Sequence, residues 1–251
     1  MAAVDDEYLH KVSSNLINNN YQQNIKWIPL SLTHVEYPQG DSLGHLLSLI
    51  SLMPFAIIIG FLTLILFRRD LHTICFFIGV VVTDIIGLSL KYTIREARPM
   101  RRDVIYVEYG MPSSHSLLMW FFATYTALFV CLRMHQNNNS TVVEKLWRWA
   151  IIGGCTTVAI LVSYSRIYLQ YHTISQVLCG FIVGVIMGIT WFFITHLVLA
   201  PFFPIIVSWR LSEYLLIRDT TLIPNVLWFE YTNIRTEARA RSRKLVSMKS
   251  Q

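Results

Sequence analysis

Three short stretches of this chain bring cationic, hydroxyl and imidazole side chains together at fixed spacings. Six residues lie between Lys91 and Arg98-Pro99, Pro112-Ser113-Ser114-His115 follows, and five residues lie between Ser165-Arg166 and His172. Fixed cations neutralise the oxygens of a phosphoryl group, one imidazole can attack its phosphorus, and a second can protonate the oxygen that leaves. As a set, these side chains compose a phosphoryl-transfer site that calls for no metal and no cofactor.

Taken singly, each has an ordinary reading beside the chemical one. A lysine at the end of a membrane span commonly snorkels to the interface. The proline after Arg98 pushes that residue toward an extended backbone, which holds its planar fork for phosphate oxygens. Arg95, Arg101 and Arg102 fit a solvated basic loop. Ser113 or Ser114 can cap a helix whose free N–H groups would bind an anion, and a plain serine cap followed by an interfacial His115 fits equally well. His172 alone reads as an interfacial residue. The chemical reading comes from the set.

The elements that must position these residues are membrane helices. Of 251 residues, 54% are hydrophobic and 14% charged, and mean hydropathy is +0.47, more apolar surface than a soluble domain of this size carries. A span needs roughly 20 apolar residues. The uncharged run 43–67, then 71–90 with Asp84 inside it, 116–132, 149–164 and 174–200 read as spans. The expected fold is therefore an all-α polytopic membrane helix bundle of about five transmembrane helices. The proline-interrupted stretch 201–217 is either interfacial or an irregular sixth helix. The chain divides into a polar N-terminal segment (1–42), a transmembrane catalytic domain (43–200), and an interfacial segment with a basic, disordered tail (201–251).

The first two motifs fall at the junction of the second and third spans and the last at that of the fourth and fifth, so all face one side of the membrane. Counting basic residues near the spans puts Arg68, Arg69, Arg133, Lys145, Arg148 and the eight beyond position 200 on the cytosolic side, against eight on the other. The motif cations break this bias, and an anionic substrate accounts for them. Sequons at Asn138 and Asn139 fall on the cytosolic side and are expected to stay unmodified. The formal charge of +6 is not spread over an aromatic-interleaved face, so nucleic acid is not an expected partner. The bilayer is. Cys75, Cys131, Cys155 and Cys179 lie within apolar runs and read as small packing residues.

The three motifs resemble, in order and spacing, the signature of the type 2 phosphatidic acid phosphatase superfamily, over the stretch from Lys91 to Gln176. Two positions depart from the pattern: Ser114 stands where glycine is usual, and Gln176 where aspartate is usual. The wording RIYLQYHTISQV and the short five-span length are similar to the dolichyl diphosphatase branch, which serves protein N-glycosylation in the endoplasmic reticulum. That resemblance implies a polyprenyl (dolichyl) diphosphate substrate, an endoplasmic reticulum membrane location and a lumenal active site. It implies His172 as nucleophile and His115 as general acid. Lys91, Arg98, Ser113 and Arg166 would form the phosphate cradle, with Ser114 adding a backbone N–H. Gln176, four residues after His172, can orient the imidazole but not neutralise it, and Gln176→Asp is expected to retain activity. Asp84 lies seven residues before Lys91, on the same helical face, and could position Lys91 or Arg166. Rival readings are a phosphatase of phosphatidic acid or lysolipid phosphate, and a scaffold that kept the fold without the activity.

Overall fold

Short polar side chains, Asp41, Asp70 and Thr173, start three of the helices, and the left-handed residues Arg69, Arg95, Gln170 and Leu216 stop four. The computed structural model of the protein describes residues 27–29, 35–100, 109–133, 142–221, 223 and 226–249. The expectations for residues 1–26, for Arg101 and Arg102 and for the Asn138 and Asn139 sequons lie outside these. Strands β1 (Trp27–Pro29) and β2 (Glu36–Pro38) pair antiparallel ahead of the bundle. Asp41 caps α1 (Ser42–Ile50), its carboxylate accepting from Leu43 N at 3.0 Å. After a two-residue break, α2 (Met53–Arg68) completes the first span.

Arg69 turns the chain at φ 53°, and Asp70 caps α3 (Leu71–Ile94). Helix α4 (Ser114–Leu128) runs into a π-turn at Phe129–Arg133, and α5 spans Val142–Tyr168. Helix α6 (Ile174–Phe193) continues through wider and tighter turns to α7 (Phe203–Val207), and α8 (Arg210–Leu215) follows. Among the described residues five helical segments are long and apolar enough to cross a membrane: Ser42–Arg68, Leu71–Ile94, Ser114–Arg133, Lys145–Tyr168 and Ile174–Val207.

All five segments run past at least one of the ends expected from hydropathy. Lys91 lies inside α3, and Ser165 and Arg166 lie in the last turn of α5, because a basic side chain near a helix C-terminus is favourable and does not stop the helix. The helices end instead at Arg95 (φ 54°) and Gln170 (φ 56°).

Helix α4 is the centre of the bundle, packed against α6, α5 and α3. Gly180, Gly184 and Gly188 form a stripe on α6 where α4 comes to backbone contact. A Cβ would lie 2.7 Å from Ser113 O at the first, 2.5 Å from Leu117 O at the second and 2.9 Å from Thr124 Cβ at the third. Phe61, Val80, Met119, Phe121, Tyr125, Val162 and Phe192 fill the interior beside this contact. The outward faces of the spans carry exposed leucine, isoleucine and phenylalanine, the surface that lipid covers.

The C-terminal part departs from expectation. Phe203 packs with Leu71 and Cys75, and Arg218 N donates to Arg69 O at 2.8 Å, so the stretch 201–217 ends beside the α2–α3 turn. That places the tail at the same end of the bundle as Arg68, in keeping with five spans. The tail is a helix, α9 (Val226–Lys249), where disorder was expected. Its Arg, Ala, Glu and Lys residues are strong helix formers, and an Arg241–Glu237 pair at 2.8 Å adds to them.

Candidate active site

The end of the bundle opposite the Arg68–Asp70 turn collects the motif residues from four helices and two loops. Lys91 comes from the last turn of α3 and is buried. Arg98 lies in the loop beyond it, half-buried. Arg95 is turned away: its Nε donates to Tyr92 O at 2.9 Å and closes the end of α3. Asp84 is exposed on α3, and although its charge reaches Lys91, no ion pair joins the two.

Ser113 is the N-cap residue of α4, extended at φ −69° and ψ 112°, yet its side chain makes no cap bond. Its Oγ is buried and has no hydrogen-bond partner among the described residues. The first-turn N–H groups, from Ser114 onward, are thus not taken by a capping side chain, and they point with the helix dipole toward the site. His115 stands in that first turn, its ring edge-on to Phe55 with centroids 6.1 Å apart.

The third motif is shaped by how α5 ends. Tyr171 N donates to Arg166 O at 3.0 Å and His172 N to the same oxygen at 3.2 Å, a closure that needs the left-handed Gln170 between them. The chain doubles back and sets His172 beside buried Arg166. Arg166 lies over the Tyr171 ring, 4.1 Å from its centroid. Thr173 then caps α6, accepting from Gln176 N at 3.3 Å. Below the site, Ser116 Oγ donates to Val177 O at 3.0 Å, and Ser163 Oγ bonds Ser116 Oγ at 3.3 Å and accepts from Trp120 Nε1 at 3.1 Å. These bonds tie α4, α5 and α6 together beside the motif residues.

The electrostatics follow from burial. His172 is 4% exposed, and its pKa is pushed down to about 3, first by loss of water and then by the Arg166 and Arg98 charges, with the Gln176 hydrogen bond opposing. It is a neutral imidazole at physiological pH. The charges of Lys91, Arg98 and Arg166 all reach both His115 and His172.

Which nitrogen of His172 is free is decided by Gln176. Gln176 Nε2 donates to Glu96 Oε1 at 2.9 Å and to Ala97 O at 2.8 Å, so the amide must face its oxygen the other way, toward His172 Nδ1 at 3.1 Å and Thr173 N at 3.3 Å. A flipped amide would set oxygen against carboxylate and carbonyl. Nδ1 therefore carries the proton, and Nε2 keeps its lone pair.

The structure thus brings together Lys91, Arg98, Ser113, Ser114, His115, Arg166, His172 and Gln176, and leaves Asp84 apart. The sequence reading missed Glu96, Tyr171 and the Gly180-Gly184-Gly188 stripe. The glycine spacing and the Thr173–Gln176 capping box were legible; the Glu96 contact, across 80 residues, was not. Among the described residues no group of three or more His, Cys, Asp or Glu side chains could hold a metal ion.

The PAP2 superfamily matches residues 72–200. The chain is 55% identical over 221 residues to Dolichyldiphosphatase 1 of Homo sapiens, covering 87% of this chain and 93% of that one. It is 41% identical over 226 residues to Lipid phosphate phosphatase gamma of Arabidopsis thaliana, covering 88% and 95%. It is 31% identical over 177 residues to Dolichyldiphosphatase of Saccharomyces cerevisiae, covering 68% and 72%.

Proposed function

The chain belongs to the PAP2 superfamily, and we propose that it is an integral membrane diphosphatase that hydrolyses dolichyl diphosphate to dolichyl phosphate and phosphate. The observation that carries the mechanism is the single tautomer of His172. With Nδ1–H held by Gln176, the Nε2 lone pair attacks the terminal phosphorus. A P–N bond forms while the bond to the bridging oxygen breaks, and the electron pair leaves with the lipid phosphate. His115 gives that oxygen its proton as required.

Water then attacks the phosphohistidine, His115 takes one of its protons, and the P–N electron pair returns to Nε2. Lys91, Arg98 and Arg166, with Ser113 Oγ and the Ser114 N–H, hold the phosphoryl oxygens throughout and meet the charge that builds on them. A scaffold without activity would not need this complete set. The relatives named as dolichyldiphosphatases support the diphosphate as substrate, and the plant relative's name keeps other lipid phosphates as the second reading.

The site lies at the end of the bundle away from Arg68, Arg69 and the basic tail, and the positive-inside bias supports a lumenal site in the endoplasmic reticulum membrane. Labelling single cysteines placed at Gln170 and at Ser208 in sealed microsomes tests this. The lumenal reading fails if Gln170→Cys is reached from the cytosolic side and Ser208→Cys is not.

The activity is tested with purified protein in EDTA, given dolichyl diphosphate beside phosphatidic acid. Phosphate release from the diphosphate, lost in His172→Ala, is the expected result. Faster release from phosphatidic acid would replace the substrate, and strict dependence on Mg²⁺ would replace the mechanism.

A further inference from the structure

Gln176 has all four of its hydrogen-bonding positions filled, and they run in one direction. Its Nε2 hydrogens go to Glu96 Oε1 and Ala97 O, and its Oε1 accepts from His172 Nδ1 and Thr173 N. A carboxylate drawing on the amide hydrogens leaves more negative charge on the amide oxygen, and that oxygen faces the imidazole N–H. We infer that Glu96 is a positioning residue for His172, supplying through the Gln176 amide the negative charge that stabilises the imidazole as it becomes cationic. The inference rests on His172 being the nucleophile.

The fold builds a seat for this contact. Gly110 N donates to Glu96 O at 2.7 Å, Ala97 pairs with Tyr109, and a Cβ on Gly110 would fall onto the Gln176 amide. Ser113 N donates to Gln176 O at 3.1 Å, so the residue before the α4 helix is anchored to the same glutamine. Gln176 is fully buried and Glu96 partly so, which limits how far water weakens the bond between amide and carboxylate. A loop anchor would be satisfied by Ala97 O alone; the second hydrogen is spent on a charged group.

Glu96 also changes the expectation for Gln176→Asp. A carboxylate at 176 would face the Glu96 carboxylate with no hydrogen between them, so that variant is impaired.

Glu96→Gln keeps an oxygen for the Gln176 amide and removes the charge. Gln176→Glu in the same chain moves the carboxylate one link closer to His172 and keeps a donor opposite it. The experiment measures the rate of phosphoenzyme formation on dolichyl diphosphate in single-turnover mixing, with thermal unfolding in detergent alongside. Glu96→Gln is expected to slow formation about 10- to 100-fold without lowering the melting temperature. Gln176→Glu alone is expected to be slowed as much, and the double variant to return to within about threefold of the parent.

Glu96→Asp guards against misfolding: it keeps the charge at shorter reach and is expected to outpace Glu96→Gln. A Glu96→Gln rate equal to the parent, or a double variant no faster than the slower single one, overturns the inference. His172→Ala separates this from the reading beneath it. If the phosphoenzyme still forms there, the nucleophile is wrong; if it needs His172 and ignores Glu96, only the relay is.

Discussion

The guanidinium of Arg166 lies over the ring of Tyr171, 4.1 Å from its centroid, and the Tyr171 hydroxyl accepts a hydrogen bond from Glu36 N at 2.8 Å. One aromatic side chain thus orients a cation of the candidate site and fastens the segment that precedes the first span.

The two functions of Tyr171 come apart on substitution. Removing the ring forfeits a cation–π contact worth about 0.5–2 kcal/mol, so Tyr171→Ala should lower kcat/KM roughly 2- to 30-fold. Tyr171→Phe keeps the ring and should stay within about twofold of the parent, because it loses only a hydroxyl bond of about 1 kcal/mol at the entry segment. Equal kinetics for the two variants would show that the stack does not hold Arg166.

Ser113 Oγ is buried and has no hydrogen-bond partner among the described residues, an arrangement that costs stability. Ser113→Ala should leave the melting temperature equal or higher and lower kcat by about 10²-fold, the scale for losing one donor to a developing oxyanion. A destabilised variant of normal kcat would make Ser113 a packing residue.

His172→Ala should abolish turnover, since it removes the proposed nucleophile. Gln176→Ala frees the ring to rotate or change tautomer, and steady-state phosphate release should fall by about 10²-fold or more while some activity remains. Full activity in Gln176→Ala would end the orienting role.

His172 is held down to about pKa 3, so in phosphate-free protein its ring should stay neutral as pH falls from 8 to about 4, as followed by NMR of ¹⁵N-labelled histidine. Below about pH 6.5 an unfolded chain takes up a proton that native His172 refuses, so acid drains stability through the window down to about pH 3. Bound phosphate favours the imidazolium and should move the titration upward. A midpoint near 6.5 without phosphate would mean that the site is open to water.

The α4–α6 contact makes a structural prediction. A side chain at Gly184 would press on Leu117 O and Trp120 Cβ, whereas one at Gly153 meets nothing within 4 Å. Gly184→Val should cost about 1–3 kcal/mol and lower the detergent melting temperature, while Gly153→Val should not. Activity of Gly184→Val should fall with it, because α4 carries Ser113 and His115 and the start of α6 carries Gln176. An unchanged melting temperature would place the two helices further apart.

Several features were legible in the order of residues alone. Apolar runs of about 20 residues can be satisfied only as helices in lipid, so the number of spans and the shared face of the motifs follow from hydropathy. Cation, serine and histidine types at fixed spacing identify phosphate chemistry, because few other side chains can do it. Helix ends were less legible. Lys91 and Arg166 are polar but helix-compatible, and what stops each helix is a left-handed residue, Arg95 or Gln170, of a type that gives no warning. The tail was read by its charge as disordered, although its residues favour a helix.

What the sequence by itself determined about this protein is thus the chemistry available and the medium it works in, since both depend on residue type and local spacing. The tertiary structure alone decided how that chemistry is aimed. Glu96 reaches Gln176 across 80 residues, through an amide whose orientation depends on all its partners at once. Asp84, on the expected helix, faces outward because α3 rotates its small residues, Gly79, Thr83 and Gly87, toward the core. Such outcomes depend on which helix packs where and at what distance, and at the α4–α6 contact that distance is set by three missing side chains.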